Sequence, residues 1–276
     1  MAKNRIGAPR TSPSTALATI KPNALTPSGE ATLAKTLSSE GPLAKIPGTG
    51  GEVIHQSGIV RVTGRDYATD AETVPASEIY FVARKKLGNP GPWLNEADKV
   101  AWIDPRTGYE CIMLRHDPDG FLSGYVGVPE DHPLFGWDHE AIAPEIGIDV
   151  HGGLTYSRIC DDGPSSRRGL EIEAHRICHV VVGHASLETP HDRAHSGQWW
   201  FGFECNHLYD VVPGRPQHRQ GFMGPETHAE YRDDAYVVRE ILNLAAQLKA
   251  LALGEPVPAR DGPPLPSIGL DPKRGG

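Results

Sequence analysis

The feature that most constrains this chain is the run Gln198-Trp199-Trp200-Phe201-Gly202-Phe203-Glu204-Cys205-Asn206-His207-Leu208-Tyr209-Asp210. It reads as a strand of large rings, and such a strand is normally buried. It ends at once in Glu204, Cys205, His207 and Asp210. Buried carboxylates, thiols and imidazoles need partners, so the fold has to bring polar groups to the end of an apolar strand. A candidate source lies upstream in Val150-His151-Gly152-Gly153-Leu154-Thr155-Tyr156-Ser157, read as part of another strand over 147–157.

Alternation along strands assigns faces. His151, Gly153, Thr155 and Ser157 share one face of the first segment. Trp200, Gly202 and Glu204 share a face of the second, opposite Trp199, Phe201, Phe203 and Cys205. If the two polar faces look the same way, His151 and Glu204 meet across a cleft, with Gly153 and Gly202 clearing space for a ligand. The competing reading makes Gly152-Gly153 a bulge or bend.

Three chemistries fit these residues. His151, Glu204 and His207, with Asp210, offer nitrogen and oxygen ligands for a divalent metal such as zinc. Cys178, His179, Cys205 and His207 form an alternative, softer set, although their pairs are too close for standard finger spacing. In a thiol mechanism Cys205 is the nucleophile, His151 or His207 the base, and Asp210 or Asn206 orients the imidazole. The N–H groups of Gly152 and Gly153 then hold an oxyanion or phosphate. The face assignment works against this, because it places Cys205 among Trp199, Phe201 and Phe203. In the third chemistry, metal-free acid–base work, Glu204 acts with His151. The candidate catalytic residues are therefore His151, Glu204, His207 and Asp210. A purely structural Glu204, paired with an arginine or capping a turn, has the same sequence.

The rest of the chain supplies the scaffold. Residues 1–50 have no aromatic and are rich in Ala, Pro, Ser, Thr and Gly, which predicts a disordered arm. Residues 51–255 are expected to form a single domain, and 256–276 a flexible tail. Strands are expected at 59–62 and 78–82. Tyr109–His116 and Phe121–Val128 flank Asp117-Pro118-Asp119-Gly120, a turn signal, and read as a β-hairpin. Trp93, Trp102 and Trp137 read as core or loop anchors. The region 161–197 has no regular pattern, and its His184, His191 and His195 read as solvated. Val237, Ile241, Leu244, Leu248 and Leu251 recur at helical spacing, predicting one helix over about 228–252. Thr227-His228-Ala229-Glu230 would cap it, and Gly254 and Pro256 would stop it. The expected fold is α+β: an antiparallel sheet backed by a C-terminal helix.

Composition narrows the class. The chain has 276 residues, 31 Gly and 25 Pro with 38% hydrophobic residues, which suits short elements and many loops. Its net charge of −8 gives no general footprint for nucleic acid on the core. The arm over 1–50 carries six Lys or Arg against two Glu, a net of +4, which leaves −12 on the remainder. No apolar run is long enough to span a bilayer, and the basic start lacks a following apolar segment, so neither a membrane span nor a secretory signal is expected. In that setting Cys111, Cys160, Cys178 and Cys205 read as reduced thiols, buried side chains or metal ligands. GxGxxG, Walker A and HExxH patterns are absent.

Several of these motifs together resemble a family of bacteriophage and bacterial proteins without an assigned activity. They are Gly91-Pro92-Trp93, Gly124-Tyr125-Val126-Gly127-Val128-Pro129 with His132-Pro133-Leu134, Val150 to Ser157, Ile177-Cys178-His179 and Trp199 to His207. The resemblance covers about residues 90–250. The family usually has Asp where this chain has Glu204, which keeps a carboxylate and changes its reach. The resemblance implies a phage-type protein of the host-cell cytoplasm and no particular mechanism. Two function classes follow: a small hydrolase or transferase acting on a small molecule or nucleotide, or a non-catalytic protein, host-factor-binding or virion-associated, whose Cys/His/Glu cluster is structural.

Overall fold

The computed structural model describes residues 42–85, 90–160, 169–178, 197–215 and 229–264. Its centre is an antiparallel sheet of eight strands in the order β1-β2-β5-β6-β7-β8-β10-β9. The strands are β1 (Glu52–Gln56), β2 (Ile59–Thr63), β5 (Ala76–Val82), β6 (Lys99–Ile103), β7 (Glu110–Arg115), β8 (Leu122–Val128), β9 (Tyr156–Ile159) and β10 (Trp199–Glu204). A small ribbon pairs β3 (Tyr67–Ala68) with β4 (Thr73–Val74). Helix α1 is the single turn Leu170–Glu173, and α2 is the long helix Asp234–Leu253. The expected α+β architecture is the observed one. No helix among the described residues is long and apolar enough to cross a membrane.

Helix α2 lies on β7 and β8, with Val237, Ile241, Leu244 and Leu248 fully buried against Leu122, Val126, Phe201 and Phe203. Gly124 makes this close approach possible. A Cβ there would stand 2.5 Å from Ile241 Cγ1 and from the Phe203 ring. The helix starts six residues later than the capping pattern predicts. Asp233 is the N-cap, accepting a hydrogen bond from the Tyr236 N–H at 2.8 Å. Thr227 and His228 of the predicted cap lie outside the described residues, and Glu230 bridges instead to Asp210. Gly254 closes the helix in the left-handed conformation, as predicted.

The first turn of α2 is held by buried charge. Arg115 reaches Glu96 at 2.6 Å, Asp98 at 3.0 Å and the Tyr231 hydroxyl at 2.9 Å. Asp234 accepts from Tyr67 at 2.5 Å and from Lys45. Lys45 and the buried Ile46 belong to the segment expected to be a disordered arm, and these two residues are docked on the domain. Residues 1–41 of that arm lie outside the described residues, as do 265–276 of the tail.

The strand order also fixes the path of one loop. Because β10 inserts between β8 and β9, the chain leaving β8 must pass the position of β10 before it forms β9. That carries residues 129–155 along the α2 side of the sheet. The predicted strand over 147–157 is reduced there to Tyr156–Ile159. Residues 150–153 form a turn closed by Gly153 N–H donating to Val150 O at 2.9 Å, with Gly152 and Gly153 both at positive φ. The bend reading of the paired glycines is the correct one.

Candidate functional site

His151 sits in that turn, 1% exposed, and both its ring nitrogens are engaged. Nε2 lies 2.8 Å from Asp210 Oδ2, and Nδ1 lies 2.8 Å from the Tyr236 hydroxyl. Its backbone N–H donates to Glu240 Oε2 at 3.0 Å. Asp210 also accepts from the His207 N–H at 2.9 Å and from Arg232 Nε at 3.0 Å. Burial would raise the Asp210 carboxyl, but the hydrogen bonds from His151, Arg232 and His207 outweigh it and hold the group below its ordinary value. Arg260 closes the far side on Glu240 at 2.7 and 2.8 Å. Sequence reasoning found His151, His207 and Asp210; it missed Tyr236, Glu240, Arg232 and Arg260, which stand on α2 and its flanks.

Gly152 belongs to the same cluster for a steric reason. A Cβ there would come within 2.0 Å of His207 Nε2, and φ is +62°. The His207 imidazole therefore packs against bare backbone, 5.5 Å between ring centroids from His151. The glycine pair seats a histidine; a phosphate nest is not needed to explain it.

Glu204 is not brought to this cluster. It pairs with Ser123 across β10 and β8, and paired residues share a face. Leu122 and Val126 point to α2, so Ser123, Tyr125 and Glu204 point to the opposite face of the sheet, with Trp200. His151 and Glu204 thus stand on opposite sides. Gly202 clears no ligand space either: the Tyr125 ring occupies it, 2.3 Å from where a Cβ would be. Alternation along a strand would put His151 with Glu204, but His151 stands in a turn that carries it to the helix side.

The metal and thiol sets change with it. Among the described residues no group of three or more His, Cys, Asp or Glu is arranged to hold a metal ion, which sets aside His151/Glu204/His207. In the alternative set, Cys178 is joined to Cys160 in a disulfide with Cα atoms 5.6 Å apart, and His179 lies outside the described residues. The expectation of reduced thiols at these two positions is corrected. Cys160 and Cys178 meet over Ile112, Tyr125 and Trp200, a juxtaposition that sequence spacing does not reveal. Cys205 is 2% exposed, and burial first, then the Asp210 charge, push its thiol well up. A thiol held protonated is a poor nucleophile.

The second face assembles a different constellation at one end of the sheet. Glu204 is half-buried and accepts from Asn206 Nδ2 at 2.8 Å. His116, also half-buried, follows β7; its Nε2 lies 3.1 Å from the Tyr125 hydroxyl and its ring stacks on Phe121 at 4.5 Å. Burial pushes the His116 imidazole down, while the Glu204 carboxylate acts to raise it, Lys85 to lower it and Asp119 to raise it. Lys85, 4% exposed, donates to Arg115 O and is pushed down to about 8 by burial, against the pull of Asp98. Glu204 does have a histidine in its field, then, and it is His116. The hairpin alone puts His116 on the face of Ser123; the pairing of β8 with β10 that adds Glu204 to that face is not local. Leu114 pairs with Ser123 and Ser123 with Glu204, so alternation from Leu114 puts His116 on the Glu204 face.

Comparison with protein-family models, with curated proteins and with solved structures finds no match to this chain.

Proposed function

We propose that the protein is a small hydrolase or transferase of the host-cell cytoplasm, acting on a small molecule or nucleotide with His116 and Glu204 as its acid–base pair. The observation that carries this reading is a difference in access. His116 and Glu204 both reach solvent, whereas His151, Asp210 and Cys205 are sealed. An imidazole with a lowered pKa is neutral near pH 7 and suited to act as general base. It would take the proton of a water or substrate hydroxyl as that oxygen attacks. The Glu204 carboxylate would then stabilise the imidazolium. Lys85 adds positive charge close by, which favours a substrate with an anionic group such as a phosphate.

A second reading rests on the other face. The ring nitrogens of His151 and both oxygens of Asp210 are saturated by protein groups, which supports a structural cluster in a non-catalytic, host-factor-binding or virion-associated protein. Purified wild-type protein, Glu204→Gln and His116→Gln, assayed on p-nitrophenyl phosphate, p-nitrophenyl acetate and a nucleoside monophosphate, separate the two. The catalytic reading expects turnover of at least one probe and a loss of about 100-fold or more in both variants. Their Tm should stay within about 2 °C of wild type, a shift below that of a lost core contact. No turnover by wild type, or variants as active as wild type, favours the binding protein.

A further inference from the structure

The loop that leaves β8 carries a feature that neither the His151 cluster nor the Glu204 face uses. Trp137 is 45% exposed, the one ring among the large apolar side chains that the described residues expose. It is not on a slack loop. His132 is buried and uses both ring nitrogens, one to Leu248 O at 2.9 Å and one to the Leu134 N–H at 3.1 Å. Successive turns are closed by Phe135 N–H to His132 O at 2.9 Å and Trp137 N–H to Leu134 O at 3.1 Å. Trp199 Nε1 donates to Trp137 O at 3.0 Å, and the Trp199 ring meets Phe135 at 6.0 Å. Downstream, His139 N–H donates to Ser157 Oγ at 2.9 Å. The exposed indole is presented by a preformed platform tied to α2, β9 and β10.

The formal charge carried by the loop itself has one sign. Residues 129–157 contain six carboxylates, Glu130, Asp131, Asp138, Glu140, Glu145 and Asp149, and no Lys or Arg. All six are exposed. Glu130 reaches Gly197, two residues before Trp199, and Asp138 adjoins Trp137 and caps the turn that contains Glu140. Lys249 of α2 stands over the Tyr109 ring at 5.3 Å, which in turn packs on His132.

We infer that this platform is a docking surface for a basic peptide segment of a partner protein, with an Arg or Lys laid on the Trp137 ring and its neighbours paired to Glu130, Asp138 and Glu140. A guanidinium satisfies both features at once, since it stacks on indole and forks onto carboxylates. Phosphate backbones meet repulsion here, which excludes nucleic acid. A neutral glycan could use the indole but gains nothing from the charge. The rigid loop lowers the ordering cost of binding, and Trp and Arg are among the side chains that most often carry the energy of an interface.

The test uses the full chain and three labelled probes: a peptide of about 12 residues mixing Arg and Leu, its Glu/Leu counterpart, and a neutral oligosaccharide. Fluorescence anisotropy should show the basic peptide binding alone, with affinity falling as salt rises from about 0.15 to 0.5 M. Trp137→Ala should weaken it by about tenfold or more, and Asp138→Asn with Glu140→Gln by about threefold or more. Asn keeps the cap at 138, so Tm should stay within about 2 °C in all variants and report that the fold is intact. Equal binding of the acidic peptide or the oligosaccharide overturns the inference. So does an undiminished affinity in Trp137→Ala, or no binding of the basic peptide up to about 1 mM.

Discussion

His151 joins Asp210 to Tyr236, with 2.8 Å to the carboxylate on one ring nitrogen and 2.8 Å to the phenol on the other. One imidazole thereby fastens three segments that are distant in sequence: the turn at 150–153, the loop after β10 and the first turns of α2. Asp210 accepts the Nε2–H, so in the neutral ring Nδ1 is left to accept from the Tyr236 hydroxyl. A histidine held in this way has no free lone pair for a metal or a substrate proton.

The first prediction follows from Asp210, which receives His151, Arg232 and the His207 N–H while fully buried. Asp210→Asn removes the charge and leaves the Arg232 guanidinium, only 10% exposed, without its carboxylate partner at that end. Breaking a buried pair by removing one partner costs about 3–5 kcal/mol. Urea denaturation should show a loss of that order. A change below about 0.5 kcal/mol would place Asp210 among ordinary surface positions.

Gly152→Ala is the second. The position needs φ of +62°, and the new methyl would meet His207 Nε2 at 2.0 Å. Backbone strain of about 1 kcal/mol adds to an overpacking cost of about 1–3 kcal/mol. The expected loss exceeds that of Ala at Gly136, which also has positive φ but nothing within 4 Å of its Cβ. Paired denaturation curves of the two variants measure the difference. Equal losses would mean that conformation alone, and not the His207 ring, demands glycine at 152.

These two sites show where the sequence was legible. Helix α2 was, because Val237, Ile241, Leu244 and Leu248 face one sheet and nothing else competes for them. The β7–β8 hairpin was as well, since Gly120 takes the positive φ that the turn requires. Strand β6 was missed. It is buried along nearly its whole length, with Lys99 at 0% exposure, and a strand covered on both faces shows no alternation to read. The site was half legible: residue types marked His151, His207 and Asp210, but the side of the sheet each one occupies depends on strand order. Nothing local says that β10 lies between β8 and β9, and that one topological fact separates His151 from Glu204.

The third prediction uses pH. Burial lowers Lys85 from the ordinary 10.5 to about 8, so between these values the unfolded chain binds a proton that the folded one does not. Stability then rises with pH across that window. Below about pH 8 the folded protein carries the cost of a buried ammonium, at most about 3 kcal/mol for a shift of this size. Lys85→Met should remove this contribution to the slope. Lys99, which burial also lowers, and the tyrosines that burial raises titrate in both proteins and cancel in the comparison. Measuring ΔG of unfolding for wild type and Lys85→Met from pH 7.5 to 10.5 should give a difference that narrows as pH rises. A constant difference would mean that Lys85 is solvated.

The fourth concerns the histidine that the fold gives to Glu204. His116 is pushed below its ordinary value by burial, raised again by the Glu204 carboxylate and lowered further by Lys85. The two charged neighbours therefore act in opposite directions on one ring. Glu204→Gln removes the anion that favours the imidazolium, so the His116 pKa should fall. Lys85→Met removes a cation that opposes it, so the pKa should rise. Titration of the His116 ring signals by NMR in the three proteins reads both signs directly, independent of any substrate. In Glu204→Gln the new side-chain amide still offers an oxygen to Asn206, so that variant keeps the local hydrogen bond, which is 2.8 Å long in the parent. If neither substitution moves the His116 titration, Glu204 and Lys85 are too far from the ring to act on it, and the acid–base pair proposed for this face does not exist.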